Sequence, residues 1–295
     1  KLTGQEEMDK LVSKLKEAGA SALMLCGLTS TQRNDIIKYC VENDIKAYVR
    51  PNIGDFIISN AKTVQMANLP VMICERATPS LFYVAMKRAM DIVISLIGLV
   101  IASPFLLVTA IAIKVYDHGP VFYKQVRLTK NGREFKILKF RSMKVDAEKD
   151  GVARLSSEND DRITPVGKVI RACRIDELPQ LINILKGDLA VVGPRPERPE
   201  IAAQYVKEMP EFSLRLQVKA GLTGYAQVYG KYNTEPYDKL QMDLMYVNQM
   251  GLVSDVKIIL ATIKILFMPE STEGIAEGQI TASGNSVEVK EKNAM

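Results

Sequence analysis

The chain has 295 residues, 47% of them hydrophobic and 25% charged, enough for one large domain or two smaller ones with a sizeable core. Its net charge of +5 at pH 7 is mild, and a single histidine, His118, beside four scattered cysteines with no CxxC pair excludes a tetrahedral zinc site. Unpaired cysteines fit a reducing cytoplasm, and a chain that starts at Lys1 without a signal-peptide pattern is expected to be a fragment of a longer protein.

The first 80 residues alternate helical and strand patterns. Residues 5–18 have helical spacing, Ala22–Cys26 reads as a buried strand, Thr31–Glu42 as a helix, and Lys46–Val49 and Leu69–Cys74 as two further strands. This order predicts a partial Rossmann-like α/β domain over 1–80. The absence of GxGxxG gives no support for dinucleotide binding.

Residues 75–88 read as a linker, and the character then changes. From Ile92 to Ile113 no residue is charged, a run long enough to span a bilayer, which needs about 20 residues. The run is apolar all round, unlike a core helix with one polar face. Ser103-Pro104 interrupts it: the proline lacks an N–H and crowds the carbonyl of Val100. A kinked spanning helix is one reading. Basic residues on both flanks (Lys87, Arg88, Lys114, Lys124, Arg127) favour a re-entrant hairpin over about 89–115 whose two ends face the cytoplasm.

Strands are expected at Val121–Tyr123 and Phe135–Phe140 around a turn at Asn131-Gly132. Eight cations between Lys124 and Lys144 face only Glu134, a bias that suits anionic headgroups or a phosphorylated substrate. No nucleic-acid module is present, so nucleic acid is not an expected partner. A polar loop over 144–165, helices at 165–173, 177–186 and 198–209, and a helix at Ser254–Met268 with Ser254 as N-cap complete the pattern. That last helix either packs on the core or lies on a membrane surface. Residues 269–295 read as a disordered tail.

Within this frame RACRIDELPQ (Arg171–Gln180) carries the chemistry. Asp176 and Glu177 follow two arginines and precede Pro179, in what reads as a helix first turn. The helix dipole and the arginines are expected to favour ionised Asp176, which can then attack phosphorus. Glu177 suits Mg²⁺, which takes one or two carboxylates plus phosphate oxygens. Alone, the tetrapeptide is a common helix cap.

Four further segments set it in context: KFRSM (Lys139–Met143), GDLAVVGPRPE (Gly187–Glu197), VKAGLTGYAQVYG (Val218–Gly230) and the Ser-Pro-broken apolar helix. Together, over about residues 84–268, they resemble the bacterial sugar transferases known as monotopic phosphoglycosyl transferases. The resemblance implies a membrane-associated α+β catalytic domain behind the re-entrant helix. It implies transfer of a sugar 1-phosphate from a UDP-sugar to polyprenyl (undecaprenyl) phosphate with Mg²⁺ and release of UMP, at the cytoplasmic face of a bacterial inner membrane. Asp176 would be the nucleophile, Glu177 the Mg²⁺ ligand beside it, and Lys139, Arg141 and Arg171 would handle phosphate. Pro194, Arg195 and Pro196 would contact the nucleotide, and Ser103 and Pro104 would form the helix break. Membrane lipid is the expected surroundings, and a homodimer is allowed.

The chain departs from the family's usual pattern at Ala220, Tyr225 and Arg174, which leaves sugar specificity open. An ordinary nucleotide-sugar glycosyltransferase is disfavoured by the lack of Asp-x-Asp, and a P-loop kinase by the lack of GxxxxGK[ST]. A membrane-anchored nucleotide-binding scaffold or regulator stays open at this point.

Overall fold

The computed structural model describes residues 21–145, 147, 160–230 and 234–266, together with Lys10, Ser13, Lys14, Glu17 and Gly19. The helix expected over 5–18 falls mostly outside these, though Lys10, Ser13, Lys14 and Glu17 are helical. Most of the polar loop and the whole tail after 269 also lie outside the described residues.

Two compact units divide after Asp55. The first is a β–α–β unit: β1 (Ala22–Leu25), α1 (Ser30–Glu42) and β2 (Lys46–Val49), with β1 and β2 parallel. Helix α1 begins at a reciprocal cap between Thr29 and Gln32 and packs Ile36 and Cys40 onto Leu25. Helix α2 (Ile53–Ser59) spans the junction.

The strand expected at Leu69–Cys74 does not join that sheet. It is β4 (Leu69–Ile73), paired antiparallel with β3 (Lys62–Met66) in a hairpin of the second unit. The two-residue turn Ala67-Asn68 fixes this partner locally, and Ala67 takes the left-handed conformation (φ 52°) that such a turn needs.

Helix α3 (Leu81–Asp117) has 37 residues, about 55 Å at 1.5 Å per residue. It starts eight residues before the expected span because Ser80 caps it, its hydroxyl accepting from the Tyr83 N–H. It runs through Pro104 unbroken, and the Ser103 hydroxyl donates to the Val100 carbonyl at 2.8 Å, partnering the group the proline leaves short. It is the one helix among the described residues long and apolar enough to cross a membrane. One face of its middle is open, with Leu96, Val100, Ile101, Phe105 and Val108 all more than half exposed, while Ser95 and Ala102 on the other are buried.

Both ends of α3 pack on the same unit. Near its start, Arg88 donates to the carbonyls of Ile184 and Leu185 at the C-terminus of α5 (Gln180–Lys186), and at the midpoint of α3 Leu181 of α5 lies against Gly98. Near its end, Ile113 is buried with Phe140 and with Ile170 of α4 (Pro165–Ala172). The hairpin β5 (Phe122–Leu128) and β6 (Glu134–Phe140) pairs in full register across a turn where Asn131 and Gly132 both have positive φ.

A short parallel pair, β7 (Ala190–Val192) and β8 (Gly221–Thr223), lies at the centre of the main core with Leu181, Ile184, Leu189 and Ile258. Glycine is required where these strands meet. A Cβ on Gly193 would overlap the Lys219 carbonyl, and one on Gly221 would overlap Gly193. Helices α6 (Pro199–Glu208), α7 (Tyr225–Tyr229), α8 (Pro236–Asn248) and α9 (Leu252–Leu266) complete the unit.

Ser254 is not the cap of α9, which starts at Leu252; Asp255 in its first turn is fully buried. The core-packing reading holds for one face of this helix. Ile258 packs into the core, while Val253, Val256, Leu260 and Ile263 form an exposed apolar stripe at helical spacing.

Candidate active site

The Asp-Glu pair does not open an α-helix. Helix α4 is capped by Thr164, whose hydroxyl accepts from the Gly167 N–H, and ends at Ala172. Arg174 then takes the left-handed conformation (φ 53°), at a cost of about 1–2 kcal/mol for a residue with a Cβ. The next three residues, Ile175–Glu177, form one 3₁₀ turn, and α5 starts three residues later with Pro179 before it. The left-handed residue reverses the chain sharply enough to set both carboxylates beside β6. Strain of this kind concentrates at functional positions.

Four of the expected cations gather here. Lys139, at the end of β6, donates to Glu177 Oε1 at 2.7 Å, and Arg195 approaches the same oxygen at 3.3 Å. Arg171 and Arg174 add their fields, Arg171 at Asp176 and Arg174 at Glu177. The two carboxylates respond in opposite directions. Burial and the charge of Glu177 push Asp176 above the ordinary carboxylate range, against the pull of Lys139, Arg171 and Arg195. This corrects the expectation that its neighbours would depress it: desolvation and the adjacent anion outweigh the cations. Burial also pushes Glu177 upward, but Lys139, Arg195 and Arg174 prevail and hold it far below that range.

The loop after β7 carries Arg195 between two buried prolines, with Arg195 itself 47% exposed. Arg215, which the sequence did not single out, and Arg127, read there only as a basic flank of the apolar run, brace it from behind. Arg215 donates to the Arg195 carbonyl at 2.7 Å and pairs with Asp243 at 2.8 Å, and Arg127 donates to the Pro196 carbonyl at 3.1 Å. Burial drives Asp243 up to about 6 despite Arg215. An apolar cavity of about 240 Å³, lined by Pro194, Ala202, Val206, Phe212 and Leu216, lies behind the loop.

Arg141 is not brought into the cluster. It is buried and pairs with Asp117, the last residue of α3. Ser103 and Pro104 lie exposed in the middle of α3, likewise apart from it.

Among the described residues no three His, Cys, Asp or Glu side chains converge as a self-sufficient metal site. Two adjacent carboxylates nevertheless match what Mg²⁺ takes when substrate phosphates and water complete its shell. On Glu177, Lys139 and Arg195 both meet Oε1. The donor set fits the ion.

Residues 82–269 match the bacterial sugar transferase family. The chain is 42% identical over 191 residues to a UDP-N-acetylgalactosamine-undecaprenyl-phosphate N-acetylgalactosaminephosphotransferase of Aeromonas hydrophila, covering 64% of this chain and 45% of that protein. It is 36% identical over 218 residues to the UDP-glucose:undecaprenyl-phosphate glucose-1-phosphate transferase of Escherichia coli, covering 72% and 47%. It is 38% identical over 190 residues to the protein of the same name from Caulobacter vibrioides, covering 63% and 71%. The chain therefore belongs to the bacterial sugar transferase family, and it spans about half the length of the first two of these relatives.

Proposed function

We propose that this chain transfers a sugar 1-phosphate from a UDP-sugar to polyprenyl (undecaprenyl) phosphate, releasing UMP, as the first membrane step of a surface-glycan assembly. The names of its relatives supply the substrate classes. The observation that carries the reading is the Asp176–Glu177 pair, set on a strained turn with Lys139 and Arg195 on one carboxylate oxygen and Arg171 and Arg174 in the surrounding field.

In this reading ionised Asp176 attacks the sugar-bearing phosphorus. The Asp–phosphorus bond forms as the bond to the UMP oxygen breaks, and UMP leaves with that electron pair. The polyprenyl phosphate then attacks the same phosphorus and frees Asp176. Lys139 and Arg171 hold phosphate oxygens in line with the carboxylate, and Arg195, pinned by its prolines, holds the nucleotide side. Asp176 and Glu177 would hold Mg²⁺, which when bound neutralises charge on the diphosphate.

In this reading both ends of α3 lie on one face of the bilayer, which requires the otherwise continuous helix to bend at Pro104, where the Ser103 hydroxyl takes the Val100 carbonyl. The support is that both its ends are tied to one body, through Arg88 at one end and Ile113 and Asp117 at the other, while its middle exposes apolar side chains. The apolar stripe of α9 is a second surface suited to lipid. The catalytic unit then sits on the cytoplasmic side of the inner membrane.

The test is UMP release from a panel of UDP-sugars with undecaprenyl phosphate and Mg²⁺. Release with at least one sugar is expected, and a chain that releases none sinks the reading. Cysteines placed at 87 and 115 should both react with an impermeant reagent from the cytoplasmic side. Labelling from opposite sides would make α3 a spanning helix.

A further inference from the structure

Asp91 marks the edge of the apolar run in the sequence and does more in the structure. It is 3% exposed on α3, and its Oδ1 accepts from the Val191 N–H at 3.0 Å. Val191 is the middle residue of β7. The parallel ladder pairs Ala190 with Gly221 and Val192 with Thr223, so the intervening N–H has no partner on β8. A buried carboxylate is costly where an apolar side chain would pack as well, so its place here needs a specific partner, and Val191 is that partner.

The next residue of β7 is held as well. The Tyr246 hydroxyl lies 3.2 Å from the Val192 carbonyl and 2.9 Å from Asp255. Asp255 in turn accepts from Tyr83 at 3.0 Å and from Lys87 at 2.9 Å. Tyr83, Lys87 and Asp91 recur every four residues and so share one face of α3. The first turns of the apolar helix are thereby bonded to the strand whose next residues are Gly193, Pro194 and Arg195.

We propose that Asp91 is a positioning residue for the transfer reaction: by holding the Val191 N–H it fixes the strand that presents Arg195 to Glu177, so that the seating of the membrane helix sets the geometry of the active site. This rests on the function proposed above. Arg127 and Arg215 fix the far side of the Arg195 loop through its carbonyls, and Asp91 fixes the strand that leads into it.

The experiment uses the full chain in lipid nanodiscs and a double-mutant cycle between Asp91 and Arg195. Asp91→Ala is expected to lower kcat/KM for the UDP-sugar about 30-fold, as loss of a buried charged hydrogen bond does. Asp91→Asn, which keeps a carbonyl acceptor, is expected to stay within about threefold of wild type. The double variant Asp91→Ala/Arg195→Ala should lose no more than Arg195→Ala alone, since Asp91 acts through Arg195. Multiplying losses, or an Asn variant as impaired as Ala, would overturn the proposal.

Hydrogen exchange supplies a readout independent of turnover. Amides 191–195 should exchange faster in Asp91→Ala than in wild type, and unchanged protection there would also overturn the proposal. If the Ala protein does not fold, Asp91→Ser, whose hydroxyl is too short to reach Val191, takes its place in both measurements. A wild-type chain that releases no UMP would count against the proposed function, while the exchange result would still decide the Asp91–Val191 linkage.

Discussion

Lys139 and Arg141 stand two residues apart in one basic motif, and each meets a carboxylate. Their partners differ in kind. Lys139 reaches Glu177 on the strained turn, where Arg195 meets the same oxygen. Arg141 turns to Asp117 at the end of α3. Between them Phe140 is buried, stacks on Phe122 at 5.3 Å and packs with Ile113 and Ile170, so both cations leave a fixed point. Under the proposed function Lys139 belongs to the chemistry, whereas Arg141 belongs to the end of α3. Charge in a motif says that an anion is near; the fold decides whether that anion is a substrate or a structural carboxylate.

This contrast can be broken by mutation. Asp176→Asn removes the attacking group and should lower turnover by about 10⁴ or more, since an amide cannot form the acyl phosphate. Full UMP release by that variant would end the covalent mechanism. Lys139→Met should cost about 10² in kcat with little change in melting temperature, because a positioned charge is lost from the transition state.

Arg141→Met should do the reverse. It should lower stability by about 2 kcal/mol, less than for a fully buried pair because Asp117 is 25% exposed, and should change kcat by under about tenfold. If Arg141→Met instead lost turnover at an unchanged melting temperature, Arg141 would belong with the substrate after all.

The smallest effect is a displacement in pH. Protonating Asp176 removes the nucleophile, so activity should fall as pH drops through a value above the ordinary carboxylate range. Lys139 pulls that value down, so Lys139→Met should move the acidic limb to higher pH. A limb that stayed in place would mean that another group sets it.

Much of this was legible in the sequence where local pattern decides structure. The apolar run, the Asn131-Gly132 hairpin and the helices over 165–209 follow from periodicity and turn chemistry. The grouping of Asp176, Glu177, Lys139, Arg171 and Arg195 was visible only through family resemblance, because these residues lie on separate elements. The rest depended on long-range packing. Nothing local says that β4 pairs with β3 rather than with β2, or that desolvation would outweigh three cations at Asp176. Asp91, Asp255 and Arg215 read as ordinary charges until the fold buries each against a partner more than 8 residues distant in some cases and 100 in another. Pairings of that kind leave no periodic signal.

The two cations on Glu177 Oε1 bear on how a diphosphate arrives. Lys139 and Arg195 already have an anion, so an incoming phosphate exchanges one counter-charge for another and does not meet bare positive charge. Uptake then resembles ion exchange within the protein, and fewer bulk ions take part than the number of arginines and lysines suggests. Substrate affinity should fall with added salt less steeply than a count of the surrounding cations implies, and Glu177 Oε1 would be left without its cations as the substrate takes them.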